Sequence, residues 1–148
     1  MEVTMPEMTL LSYITLYILL ALTGVFALLI MWWQIMVLKG KTMKNPDGSV
    51  DSWLKQPTHY GIAVADVCIA CPAALAGIVL VFLAPKWGFY VLALVSFWAL
   101  WANTMTTATS LRFFKPRINL VWFMTYPFAG IVGLLYIVWT MLHFTSIY

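Results

Sequence analysis

The chain has 148 residues, 64% of them hydrophobic and 9% charged, with a net charge of +3. Soluble domains sit near ~45–50% apolar and ~25% charged, so a water-soluble core of this size could not hide so much apolar surface. The length allows one helical unit and no separate soluble domain, and no basic run is long enough for nucleic-acid binding.

Four apolar runs follow one another, at residues 10–38, 58–84, 88–110 and 118–144. Each exceeds the ~20 residues that a helix needs to cross the hydrocarbon core. The first is preceded by Glu2 and Glu7 without any Lys or Arg. It is also longer than the ~7–15 residues of a signal-peptide core, so it reads as a retained transmembrane helix. A polar loop, residues 39–57, comes next and carries the turn signal Asn45-Pro46-Asp47-Gly48. The second run contains the one formally charged residue inside any of the four, Asp66. Ala84 to Gly88 reads as a tight hairpin to the third run, and Arg112 to Arg117 as an equally short connection to the fourth. Short connections make sequential helices antiparallel neighbours. The expected fold is therefore all-α, a single four-helix antiparallel transmembrane bundle over residues 1–148.

Basic residues set the orientation. Lys39, Lys41, Lys44 and Lys55 lie in the first loop, and Arg112, Lys115 and Arg117 in the third. Only Lys86 lies in the second. Loops one and three are thus expected in the cytoplasm, with both termini outside or lumenal. Trp32, Trp33, Trp53, Trp87 and Trp122 fall near helix ends, as interfacial anchors do. Pro72 and Pro127 interrupt the second and fourth runs, freeing the carbonyls of Cys68 and Phe123. Ala73/Gly77 and Ala129/Gly133 have the spacing that lets backbones approach, within one chain or between copies.

Asp66 is the leading candidate for chemistry. A carboxylate at ~12 Å depth is costly and faces a bundle interior or a wet cavity. Asn103 on the third helix and Tyr126 on the fourth reach a similar level. Gln34 lies nearer the inner surface, and His59 is seven residues before Asp66, nearly on its face. Together they are expected to line a polar pocket opening to the cytoplasm, ringed by Arg112, Lys115 and Arg117. The bland alternative is that the polar groups of the third helix join helices by hydrogen bonds. Cys68-Ile69-Ala70-Cys71 has dithiol spacing, but inside an apolar helix the pair reads as structural thiols. No cluster has the spacing of a metal or haem site, and no phosphate loop or nucleophile elbow is present.

The layout resembles the membrane-associated proteins of eicosanoid and glutathione metabolism, the family of microsomal glutathione transferase and prostaglandin E synthase. The local echoes are Lys44-Asn45-Pro46-Asp47, Asp66 six residues before Pro72, and the Arg112–Arg117 loop. The resemblance implies a homotrimer with a pocket between subunits. It further implies Asp66 as acid/base on a lipid-like substrate, and Arg112 or Arg117 holding an anionic group. Glutathione would be the cofactor if the family holds. The chain departs from the family where glutathione is held: the Arg-Ala-His-x-Asn stretch and its following Glu have no counterpart between Tyr60 and Cys68, and the helix-three Arg and Tyr are missing.

The functional expectation is a small oligomeric membrane protein whose pocket binds a lipophilic or amphipathic ligand, with lipid and further copies of itself as partners. Two other readings stay open. One is an accessory subunit of a larger membrane complex. The other is a proton- or cation-coupled transporter using Asp66.

Overall fold

The computed structural model describes residues 6–39, 57–114 and 116–148, with the backbone alone at 57–59 and 114. The first polar loop, with its Asn45-Pro46-Asp47-Gly48 turn, and Lys115 lie outside the described residues. Everything regular among the described residues is helical. The elements are α1 (Leu10–Leu38), α2 (Pro57–Ala65), a π-helical turn (Asp66–Ala70), α3 (Cys71–Leu83), α4 (Pro85–Thr109), a second π-helical turn (Ser110–Phe114), α5 (Leu120–Thr125), α6 (Phe128–Leu142) and α7 (Phe144–Ile147).

Three continuous helical stretches are long and apolar enough to cross a membrane: Leu10–Leu38, Tyr60–Leu83 and Pro85–Phe113, with mean hydropathies of 2.5, 2.4 and 1.3. The fourth run is divided. Pro127 has no N–H to continue the ladder, α5 ends at Thr125, and α6 alone has 15 residues. Pro72 has a gentler effect. It sits in the first turn of α3, directly after the π-helical turn, where the Cys71 N–H reaches the Asp66 carbonyl. One wide turn absorbs the missing donor and the helix continues. Two sequence-based boundaries shift. The turn between the second and third runs narrows to Ala84, with Lys86, Trp87 and Gly88 already in α4. The helical path extends to Phe114, so Arg112 is helical.

Two helices begin with a side-chain N-cap. The Thr9 hydroxyl accepts from the Ser12 N–H at 3.2 Å, and the Asn119 side chain accepts from the Trp122 N–H at 2.8 Å.

Neighbouring helices run antiparallel, as their contact registers show. Gly77 meets Leu92 while Gly88 meets Val81. Gly24 meets Ile78 while Gln34 meets Asp66. Gly130 meets Asn103 while Gly133 meets Ser96. The small residues at 77 and 133 thus serve contacts within the chain, both against α4. Packing is uneven along the helices. Towards the Leu10 end of α1 the interior is filled by large side chains, including Leu16, Leu19, Phe89, Leu92, Tyr136 and Trp139. Towards the Leu38 end it is built from Ala27, Cys71 and Ala74. Small side chains leave space between helices whose spacing is fixed elsewhere.

A polar clasp closes the large-residue end. His143 Nδ1 lies 2.8 Å from the Trp139 carbonyl and Nε2 lies 2.9 Å from the Ser12 hydroxyl. A carbonyl only accepts, so Nδ1 carries a proton, and in the neutral ring Nε2 accepts from Ser12. Ser12 Oγ then accepts from the Thr9 hydroxyl, 2.8 Å away. The chain of bonds ties the start of α1 to the end of α6. Ser12→Ala is expected to cost about 1 kcal/mol, the net worth of one such bond. His143→Phe should cost a similar amount, and the double variant less than the sum. Unfolding midpoints of the three proteins check this.

Candidate functional site

Asp66 stands at the start of the first π-helical turn and is buried. Two other helices hold its carboxylate. Gln34 Nε2 of α1 donates to Oδ2 at 3.1 Å, and Trp98 Nε1 of α4 donates to Oδ1 at 3.0 Å. Each oxygen therefore has one N–H partner, and the plane of the carboxylate is fixed from both sides. A carboxylate offers about four acceptor positions, so about two remain for another group.

Asp66 borders a partly open cavity of about 90 Å³, lined by α1, the π-helical turn, α3, α4 and α6. A space of that size accommodates more than one water molecule. Its walls are mainly small or apolar, among them Phe26, Ile30, Ala74, Val95, Ala102 and Val132. Its polar rim comprises Asp66, Thr23, Ser96, Asn103 and the Cys71 thiol. Ser96 is only 4% exposed. The cavity runs from the middle of the α1 span towards the Leu38 end, where the small-residue core begins.

The sequence-based candidates divide. Asp66 and Asn103 line the same cavity. The Asn103 amide donates to the Ala99 carbonyl on its own helix at 2.8 Å, rather than to Asp66. Tyr126 is absent from the lining among the described residues; it caps α5 and packs against the Trp122 ring, centroids 5.7 Å apart. Arg112 and Arg117 are exposed and are not among the cavity residues. His59 lies on α2, and its side chain is outside the described residues. Cys68 is exposed on the outer face while Cys71 is buried on the cavity side, and both are free thiols.

Sequence reasoning counted Gln34 among the pocket residues but nearer the inner surface, and missed Trp98. Trp98 is mid-helix, unlike the tryptophans named as interfacial anchors, but Trp101 is mid-helix too, so the sequence does not single it out. Among the described residues no group of His, Cys, Asp and Glu is arranged to hold a metal ion. No family model, curated protein or solved structure matches this chain.

Proposed function

We propose that this chain is a multi-pass membrane protein, an antiparallel four-helix bundle with both termini outside. Its cavity receives the polar end of a lipophilic or amphipathic ligand at Asp66. The observation that carries the reading is Asp66 itself: buried, held by donors from two other helices, and still bordering open space. An ionisable group inside a span is expensive, and one fixed beside a cavity is what a polar ligand end requires. The apolar outer faces support the membrane assignment. Leu11, Ile18, Val25, Leu29 and Trp32 form one exposed stripe on α1, whose inward face is equally apolar. The basic residues of the first and third loops support a cytoplasmic side nearest the cavity.

The resemblance to the eicosanoid and glutathione family extends the proposal to a homotrimer, with Asp66 as the acid–base group. That part is tested by native mass after gentle extraction.

The pocket is tested by mass spectrometry of small molecules carried through purification. Wild type is expected to retain one compound in fixed ratio to protein. Ala74→Met, which fills the cavity from a wall residue, should lose it while keeping its helicity. Identical profiles for the two proteins would refute the pocket. A stoichiometric set of other membrane proteins in the wild-type preparation would favour the accessory-subunit reading.

A further inference from the structure

The cavity's polar rim is rich in oxygen acceptors. The donors near Asp66 are Gln34 Nε2 and Trp98 Nε1, and both are already committed to its oxygens. Asn103 gives one N–H to the Ala99 carbonyl, which leaves its side-chain oxygen and its second N–H unused. Thr15, Thr106, Thr125 and Thr140 each turn the hydroxyl back onto the carbonyl four residues earlier. Thr23 and Ser96 make no such bond, and both border the cavity. The rim thus offers carboxylate, amide and hydroxyl oxygens as acceptors, and the hydroxyls and the Cys71 thiol can also donate. Among the described residues, no Lys, Arg or His lines the cavity.

We propose that the ligand's polar end is a protonated primary amine, seated on Asp66 and shared with Ser96, Thr23 and Asn103. This rests on the pocket reading above and narrows it. An ammonium group has three donors and no acceptor, the complement of an acceptor-rich rim. Its charge answers a carboxylate that otherwise has only neutral partners, in a setting where screening is weak. A carboxylate or phosphate end would meet Asp66 as a like charge. A quaternary ammonium brings no N–H for the oxygens. The remainder of the molecule is a hydrocarbon, because Phe26, Ile30, Val95 and Val132 form the walls.

The test uses the full chain purified in an uncharged maltoside detergent, with dodecylamine, dodecanol and dodecanoate as probes at neutral pH. The readouts are the unfolding midpoint and tryptophan emission, since Trp98 touches Asp66. Dodecylamine is expected to raise the midpoint saturably, with at least tenfold tighter binding than dodecanol. Asp66→Asn should weaken amine binding tenfold or more and dodecanol binding far less. Ser96→Ala should weaken the amine several-fold, and it decides the matter should Asp66→Asn fail to fold. Equal binding of amine and alcohol, tightest binding of dodecanoate, or undiminished amine binding in both variants overturns the amine assignment. The first two of these leave the pocket reading standing. If no probe acts on wild type and Ala74→Met behaves identically, the pocket reading falls as well.

Discussion

Asp66→Leu is expected to destabilise the protein by about 2–4 kcal/mol, although it removes a carboxylate from an apolar span. From sequence alone the opposite sign is reasonable, because a charge in hydrocarbon is costly and leucine is not. The two donors reverse it. Gln34 Nε2 and Trp98 Nε1 both terminate on Asp66, and each would be left unpaired at about 1–3 kcal/mol. Asp66→Asn should fall between, since one amide oxygen replaces two acceptors. The diagnostic is the triple variant Asp66→Leu, Gln34→Leu, Trp98→Phe. With donors and acceptor removed together, it should return to within about 1 kcal/mol of wild type. Unfolding titrations in mixed micelles, followed by circular dichroism, measure all four proteins. Losses that simply add across the three sites would show that these bonds contribute nothing as a unit.

Gly88→Ala and Gly133→Ala are expected to cost about 3 kcal/mol or more, at the upper end of overpacking effects. A Cβ at 88 would overlap the backbone nitrogen of Val81 and lie 2.6 Å from its Cα. A Cβ at 133 would lie 2.6 Å from the Ser96 carbonyl oxygen. Backbone cannot swing aside as a side-chain tip can, so the helices must part. Gly61→Ala is the internal control. Its added Cβ meets nothing within 4 Å, and helix propensity favours alanine by about 1 kcal/mol. The same unfolding assay should therefore separate the first two variants from the third by sign. Equal stability of Gly88→Ala and Gly61→Ala would contradict the close approach of α3 and α4.

The helices were legible because their cause is local. An unbroken apolar run announces Leu10–Leu38 almost residue for residue, and Pro127 announces the break between α5 and α6. Where each side chain faces was less legible, because facing depends on how helices rotate against one another. Depth arithmetic put Asn103 and Tyr126 level with Asp66. Rotation gave the carboxylate to Gln34 and Trp98 instead, and kept only Asn103 at the shared cavity. Arg112 was expected to ring the pocket from a loop, but the helix continues past it and carries it outward. The cavity could not be anticipated from any single helix. It exists because alanines from several helices meet at one level, a coincidence of sequence-distant residues.

The π-helical turn at 66–70 makes the second span a matter of phase rather than depth. Buried positions there run Ile62, Ala63, Asp66, Cys71, Ala74, Gly77 and Val81, and the step across the turn is five residues where an α-helix would use three or four. One surplus residue offsets the two halves by about 100°. Deleting any one residue between 66 and 70 would scarcely alter the hydropathy of the segment. It would, however, swing Asp66 off the side shared with Cys71 and Ala74, so that the early half could no longer meet Gln34 and Trp98 while the later half met Leu92. Two chains with indistinguishable hydropathy profiles can thus differ in whether they possess this site at all, and the difference is an angular one written in a single residue of length.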